Sequence, residues 1–407
     1  MNRNLNLLLS GQLVSQVGDK FHMLAVAFLV LKTTGSPAKM GLVFFCSLFP
    51  SMLLGLVSGT FIDRYNRKAI IVGADVARGL VVSGLAFCYF LNVLSFPVLL
   101  LAQVILSVCT AFFDPAIPAI IPQIVKSDQL TRANSRAQFI SGVATVVGPT
   151  LGGIMVAWGG YLPVFLINAA SYLISAGFES IIQIPPLTRQ TRSDKKILDD
   201  IRQGCRYVYR RHHLMIILIM VGVIHFFVGW IEVVIPILAT GLDGYGARNI
   251  GYLQTFFGLG MIMTALLLSV INIGGREARF LFGGVFGIGI LMVLTSLVYV
   301  SGVRGIVAFM LIFILIGAGI IMAGTSFRSM LQKDVPAGMM GRVFGFVAAV
   351  GNISIPLATL IYGILMSYVS HTVLMAVSGI ILLPTSLVAY YLYARTDYTL
   401  AAREPQS

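Results

Sequence analysis

The feature that most constrains this chain is a series of long apolar blocks separated by turns or clusters of charge. A helix needs about 20 apolar residues to cross the hydrocarbon of a bilayer. Only 11% of the residues are charged and 57% are hydrophobic, which is too apolar for a water-soluble core. The sequence therefore predicts an all-α membrane protein with twelve transmembrane helices, over residues 5–31, 40–62, 68–91, 97–122, 135–158, 163–184, 214–239, 249–272, 280–300, 305–330, 342–368 and 371–394.

The basic residues orient these predicted helices. If both termini lie in the cytoplasm, most of the 28 Lys and Arg residues fall in inner segments. The predicted outer loops hold only Lys32, Lys39, Arg248 and Arg304. An excess of basic residues is typical of cytoplasmic loops. We therefore predict a multi-pass protein with both termini in the cytoplasm.

Charge and cysteine patterns argue against several other classes of protein. The formal charge of +13 could indicate a nucleic-acid ligand, but the cations lie between apolar blocks rather than in one patch with aromatic residues. The four cysteines are widely spaced without a C-x-x-C pair, so neither a disulfide framework nor a zinc site is expected. No catalytic motif is present, neither H-E-x-x-H, a nucleophile elbow nor a Walker-type nucleotide loop. We therefore expect that the protein is not an enzyme and that it binds neither nucleic acid nor a metal ion.

The longest polar stretch, 185–213, divides the chain into two halves of six predicted spans. Apolar residues such as Ile197 and Ile201 recur within it, which predicts an amphipathic helix on the cytoplasmic membrane surface. The predicted domains are an N-terminal six-helix bundle over 1–184, this linker over 185–213, and a C-terminal six-helix bundle over 214–407. Two such halves are what parallel repeats of six helices would give.

The loop between the second and third predicted spans carries a recognisable pattern. It reads Gly59-Thr60-Phe61-Ile62-Asp63-Arg64-Tyr65-Asn66-Arg67-Lys68. This resembles the signature loop of the major facilitator superfamily, G-x-x-x-D-R-x-G-R-K, with Asn66 in place of the usual glycine. We expect Gly59 to let two helices approach closely and Asp63 to form a cytoplasmic latch with Arg64, Arg67 and Lys68. Asparagine tolerates left-handed backbone, so the departure at Asn66 should be mild.

A second pattern lies in the fifth predicted span. Gly148-Pro149-Thr150-Leu151-Gly152-Gly153 resembles the G-P-x-x-G-G motif that the superfamily associates with antiporters. The proline removes a backbone hydrogen bond and bends the helix, and the glycines leave a smooth face for close packing. We expect Gly148, Pro149, Gly152 and Gly153 to take part in the conformational change. Generic glycine-rich packing is the alternative interpretation.

A third stretch, Phe112–Pro122, resembles the drug:proton antiporter-3 branch, which includes macrolide and siderophore exporters, and Gly18-Asp19 also fits that branch. The resemblance implies the major facilitator fold and a monomer among the lipids of a bacterial inner membrane. It also implies export of an amphipathic small molecule by proton antiport and alternating access, with no cofactor besides the proton gradient. Two alternatives stay open. One is a dedicated exporter of a siderophore, a lipid or a divalent metal ion, and the other is a sensor or receptor that binds without transport.

Ionisable residues inside the predicted spans are candidates for function because they are costly in a bilayer. In the superfamily, spans one, four, seven and ten line the central cavity. Asp19 lies halfway along span one, at helical spacing from Gln12 and Gln16, and is the leading candidate for binding a proton or a cation. His225 and Glu232 share one face of span seven, and the aromatic residues beside them could stack on a flat or cationic drug. The further substrate or proton candidates are therefore His225, Glu232, Phe226 and Trp230.

The remaining charges inside the spans are expected to control the conformation. Asp114 and Arg328 lie toward the cytoplasmic ends of spans four and ten, where gating or ion pairing is favoured over substrate contact. Asp75 and Arg78 are three residues apart in span three and are expected to serve the latch near Asp63. Glu179 lies close to the inner interface, where it is expected to be solvated.

Overall fold

The computed structural model describes residues 3–126, 129–183, 205–244, 246–271, 273, 275–335 and 337–401. These residues form long α-helices and contain no β-strand. We number the helices in chain order as α1 (Arg3–Thr34), α2 (Pro37–Arg64), α3 (Arg67–Phe90), α4 (Phe96–Ile124), α5 (Leu130–Gly159), α6 (Tyr161–Ile181), α7 (His212–Thr240), α8 (Gly246–Val270), α9 (Glu277–Val300), α10 (Ile306–Asp334), α11 (Ala337–Leu365) and α12 (His371–Ala401).

The helices have the length and composition of membrane spans. Within the described residues, 11 of them contain an apolar stretch long enough to cross a bilayer. In α11 the described apolar part, Ala349–Leu365, is shorter. Each predicted block falls within one of these helices to within a few residues at either end. The predicted fold class, an all-α membrane protein, is confirmed.

The surface of the helices is apolar, as a lipid solvent requires. Large hydrophobic side chains that are more than half exposed recur along α3, α4, α9 and α10, among them Leu80, Leu101, Leu297 and Val307. In water so many exposed side chains would be unfavourable, at about 25 cal/mol per Å² of apolar surface. The pattern fits helices that present their outer faces to lipid.

The described residues form two compact units. The first contains Met1–Thr191 together with Ile235–Thr255, so the end of α7 and the beginning of α8 belong to it. Within this unit α1 packs on α5 and α6, α3 packs on α4 and α6, and α2 packs on α4. One part of its core is built from buried aliphatic residues of α1, α3 and α4, such as Leu8, Ile71 and Ile120.

The second unit contains Arg192–Val234 and Phe256–Ser407. Within it α9 packs against both α10 and α12. Lys333 near the end of α10 forms an ion pair with Glu277, the first residue of α9. The predicted domain boundary at 185–213 stays a prediction, because residues 184–204 lie outside the described part of the chain. Residues 205–209 of the predicted linker are helical.

Asn66 has a different role from the one its sequence position suggested. Its backbone is extended, with φ −66° and ψ 109°, and it is the N-cap of α3. Its side-chain oxygen accepts hydrogen bonds from the backbone N–H groups of Lys68 (3.0 Å) and Ala69 (3.3 Å). Asparagine is among the preferred N-cap residues because it satisfies N–H groups that have no partner in the first turn. The tolerance of asparagine for left-handed backbone is therefore not used at Asn66, whose backbone is extended.

Candidate functional site

The leading candidate, Asp19, lies where α1 packs against α6. Gly18 permits this close approach, because a Cβ on Gly18 would overlap the side-chain oxygens of Asn168 and Ser171 on α6. The Asp19 carboxylate accepts a hydrogen bond from the hydroxyl of Tyr172, also on α6. Asp19 retains 38% of its side-chain surface, so a proton or a solute can reach it.

Arg78 of α3 is buried beside Asp19 and is held from several sides. Its guanidinium lies 3.9 Å from the Asp19 carboxylate and donates a 2.5 Å hydrogen bond to Asp75. The same group lies over the rings of Phe113 (4.0 Å) and Tyr172 (4.9 Å). A planar guanidinium can stack on aromatic rings while it pairs with carboxylates. Arg78 therefore links α3 to α1, α4 and α6.

Two further carboxyl groups lie deeper in the same region. Asp75 and Glu179 are both fully buried, and Ser175 of α6 interacts with each of them. The hydroxyl of Ser175 lies 3.5 Å from Glu179 Oε1, while Glu179 Oε2 is buried and has no hydrogen-bond partner in the part of the chain that the structure describes. Glu179 is therefore not solvated as expected. It faces the interior because α6 turns this side toward α3.

Negative groups outnumber the buried cation at this site. Asp114 on α4, although exposed, interacts electrostatically with Arg78 and Asp19. Asp19 and Asp75 thus lie within ion-pair distance of a single buried guanidinium, Asp114 and Glu179 interact with it electrostatically without forming an ion pair among the described residues, and the other nearby cation, Lys20, is exposed. Burying several like charges around one cation is unfavourable unless some of them are neutralised. Proton binding at Asp19 stays a prediction.

The polar stripe predicted on α1 continues toward the N-terminus of the helix. Gln12 is buried, and its side-chain oxygen has no hydrogen-bond partner among the described residues. Gln16 accepts a 3.0 Å hydrogen bond from Ser141 of α5. The stripe thus faces neighbouring helices rather than lipid.

The glycine-proline motif of α5 packs directly on α1, as its small residues predicted. A Cβ on Gly148 would overlap Lys20, and one on Gly152 would lie 2.8 Å from the Cβ and 2.9 Å from the Cα of Phe21. Pro149 lies inside the same helix, and Gly153 is buried. The motif places α5 against the turn of α1 that carries Asp19. Its predicted part in the conformational change stays a prediction.

The beginning of α8 packs against the same motif within the first unit. A Cβ on Gly251 would lie 3.1 Å from the carbonyl oxygen of Pro149. One turn further along α8, the hydroxyl of Thr255 forms a hydrogen bond with that of Thr150.

The predicted latch is described only in part. Arg67 donates a 2.7 Å hydrogen bond to the carbonyl of Ala119 near the end of α4, and Lys68 is half-buried. The surroundings of Gly59 and the side chains of Asp63 and Arg64 lie outside the described part of the chain. The latch therefore stays a prediction, and so does the predicted contribution of Asp75 and Arg78 to it.

In the second unit, His225 and Arg328 line one cavity. It has a volume of about 450 Å³, and α7, α8, α10 and α11 form its walls. Of the other candidates on α7, Glu232 is half-buried, Trp230 is buried, and Phe226 packs edge-to-face on Phe227 with its ring centroid 5.7 Å from that of Tyr362.

Sequence reasoning missed the contribution of α6 to the site. Tyr172, Ser175 and Glu179 are spaced so that they share one face of α6. From this spacing the sequence could have predicted a polar stripe on α6 like the one on α1. Among the described residues, no three side chains of His, Cys, Asp or Glu are close enough together to hold a metal ion.

Comparison with known proteins decides the family. Residues 8–359 match the sequence pattern of the Major Facilitator Superfamily. The chain belongs to this superfamily. The resemblance seen in the signature loop is thereby confirmed, while the division into two six-helix bundles stays a prediction. Because this is a family of transporters, the prediction that the chain is not an enzyme is also confirmed.

Named relatives within the superfamily are distant in sequence but cover most of the chain. Macrolide efflux protein A of Streptococcus pyogenes is 22% identical over 354 residues, which cover 86% of this chain and 86% of that protein. The uncharacterized MFS-type transporter YfiS of Bacillus subtilis is 25% identical over 390 residues, covering 95% and 92%. The resemblance to a drug-efflux branch agrees with the first of these names.

A solved structure supports the fold independently. The D-xylose-proton symporter superposes on this superfamily member with a TM-score of 0.75 at 13% sequence identity, over 96% of this chain and 97% of that one. At this identity the likeness shows the fold alone.

Proposed function

We propose that this transporter exports amphipathic small molecules, including drugs, from a bacterial cytoplasm in exchange for protons that enter the cell. The observation that carries the proposal is the cluster of carboxyl groups around Arg78, with Asp19 as its accessible member. The name of a relative, macrolide efflux protein A, supports the choice of an amphipathic substrate. Membership of a secondary-transporter family supports the use of a gradient rather than nucleotide hydrolysis.

The proton acts at Asp19 in this proposal. The ionised carboxylate accepts the hydroxyl hydrogen of Tyr172 and is attracted by Arg78. When Asp19 takes up a proton, this attraction is lost while Arg78 remains paired with Asp75. The contacts of α1 with α3 and α6 therefore weaken without leaving Arg78 uncompensated. Proton binding can drive export only if it favours one conformation over the other, since coupling is a difference in affinity between states.

Alternating access provides the two states. In transporters built from two repeats, one bundle moves against the other and exposes the binding site to each side in turn. The close packing of α1 on α5 at Gly148 and Gly152 makes α1 a rigid carrier of Asp19. Such rigidity would transmit a change at the carboxylate to the rest of the first unit.

The test is uptake into inverted membrane vesicles with and without an imposed pH gradient. The compounds are a macrolide, a lipophilic cation and a siderophore. Asp19→Asn removes the proton site, and Asp243→Asn makes the same chemical change at an exposed loop position. We expect gradient-dependent accumulation of more than one compound, a loss of about tenfold or more with Asp19→Asn, and normal uptake with Asp243→Asn.

The other outcomes separate the alternatives. Accumulation of one compound alone would indicate a dedicated exporter, and saturable binding without accumulation would indicate a sensor or receptor. Accumulation that ignores the pH gradient, together with normal transport by Asp19→Asn, would refute proton antiport.

A further inference from the structure

The cavity of the second unit has the size and lining of a small-molecule site. Its volume of about 450 Å³ lies within the range of about 300–1,000 Å³ that is usual for ligand pockets. Most of its wall is aliphatic or aromatic, from Val221, Ile224, Val228, Met261, Ile320, Ile321, Val347 and Phe327. The polar members are few, namely His225, Thr325, Arg328 and Asn352.

The charged lining of this cavity has one sign. Arg328 carries a full positive charge, and none of the residues that line the cavity is an Asp or a Glu. Arg328 forms no ion pair with any residue in the described part of the chain. Arg328 is exposed and lies six residues before the end of α10, so its guanidinium is solvated when the cavity holds only water. An anionic ligand in the cavity can take the place of that water.

His225 is fixed so that one nitrogen remains for a ligand. Its Nδ1 lies 2.8 Å from the carbonyl oxygen of Val221. A carbonyl only accepts, so Nδ1 carries the hydrogen and Nε2 is the other functional atom. The ring lies against α11, where a Cβ on Gly351 would be only 3.1 Å from Nε2. Gly351 thus leaves the ring the room to stay in this orientation.

We infer that this cavity binds amphipathic solutes through an anionic group, with Arg328 as the main recognition residue and Asn352 as a further donor, while His225 Nε2 can accept a hydrogen bond from a hydroxyl or amide group elsewhere on the solute. A carboxylate would receive charge-assisted hydrogen bonds from the planar guanidinium. An apolar body would occupy the space between Ile224, Val228 and Val347. A cationic solute would find repulsion from Arg328 and no carboxylate in the lining.

This inference rests on the proposed function, because it names one class of solute, the anionic amphiphiles, that the exporter would bind in this cavity. It differs from the expectation of a lipophilic cation stacked on the aromatic residues of α7. It also gives Arg328 a role in substrate contact, where the sequence favoured gating.

The test is equilibrium binding to the full chain in nanodiscs, without any gradient. Three fluorescent probes share one apolar body, namely pyrenebutyrate, pyrenebutanol and pyrenebutyltrimethylammonium. Of the two tryptophans, Trp158 is 89% exposed and Trp230 is buried five residues beyond His225. A Trp158→Phe background therefore leaves Trp230 as the donor for energy transfer to a probe in the cavity. Empty nanodiscs correct for partition into lipid.

We expect pyrenebutyrate to bind at least about tenfold more tightly than the alcohol, and the cation to bind most weakly. Arg328→Gln should weaken pyrenebutyrate by about tenfold or more while leaving pyrenebutanol within about twofold. Arg279→Gln, which removes an exposed arginine that does not line this cavity, should change neither. Gly324→Leu should block all three probes, because Gly324 lines the cavity and a Cβ there meets no atom within 4 Å.

Equal affinity for the three probes would overturn the inference. So would an Arg328→Gln variant that weakens the binding of the three probes no more than the control Arg279→Gln does. Displacement of pyrenebutyrate by phosphatidylglycerol in the nanodisc would show instead that the cavity is a lipid site. Because no gradient is applied, these results are independent of proton coupling. If anion selectivity fails while gradient-driven uptake of other compounds persists, the proposed function stands and only this inference falls.

Discussion

The packing of α5 on α1 gives a quantitative prediction for Gly152→Ala. The new Cβ would lie 2.8 Å from the Cβ of Phe21, 2.9 Å from its Cα and 3.1 Å from its carbonyl oxygen. Two of these are backbone atoms, so they can move only if α1 moves. Overpacking of this kind costs about 1–3 kcal/mol. Alanine also has a helix propensity about 1 kcal/mol better than that of glycine, which offsets part of the loss.

Gly142→Ala is the matched control for this prediction. Gly142 lies on the same helix, and a Cβ there meets no atom within 4 Å. Gly142→Ala gains the same helix propensity without a steric clash, so the difference in stability between the two variants measures the cost of the close contact at Gly152. We expect Gly152→Ala to be less stable than Gly142→Ala by about 1–3 kcal/mol in the free energy of unfolding, measured by titration of mixed micelles with a denaturing detergent. Equal stability of the two variants would refute the close contact between α5 and α1.

Five further variants, at four positions, test other parts of the structure by the same titration. Asn66→Ala removes the cap of α3 and should cost about 0.5–2 kcal/mol, while Asn66→Asp should retain most of the stability; equal losses would argue against the cap. Asp75→Asn leaves the buried Arg78 without its closest partner and should cost about 3–5 kcal/mol. Glu179→Gln should change stability much less, because no cation of the described residues lies within ion-pair distance of Glu179. A larger loss with Glu179→Gln than with Asp75→Asn would contradict the pairing of Arg78 with Asp75. Lys333→Met should change the free energy of unfolding by less than about 1 kcal/mol, because Lys333 is 57% exposed and ion pairs exposed to solvent are weak. A larger loss would show that the ion pair between Lys333 and Glu277 contributes substantially to stability.

The helices were predictable because each block of apolar residues is bounded by charge or by a turn residue. The close packing of the motif in α5 was predictable too, since small residues at helical spacing have few other uses in a membrane. Asp19 could be singled out because a carboxyl group halfway along a span is costly.

The partners of Asp19 could not be predicted from the sequence. Helical periodicity tells which residues share a face, but it does not tell which face meets which helix. Arg78 was therefore assigned to a latch, although its guanidinium reaches Asp19, and Tyr172 was overlooked. Glu179 was misplaced for a related reason. Its position near the end of an apolar block suggested the interface with water, whereas the packing of α6 on α3 encloses it.

The arginine-lined cavity has a consequence for how membrane voltage would power export. If an anion leaves as one proton enters, two elementary charges cross the membrane in the same electrical direction in each cycle. A membrane potential contributes about 2.3 kcal/mol per charge for each 100 mV, so that exchange would gain about 4.6 kcal/mol per 100 mV. Exchange of a monovalent cation for one proton would move no net charge and would gain nothing from the potential. The positive charge in that cavity favours an anionic solute, and the charge of the solute decides whether the membrane potential drives export in addition to the pH difference.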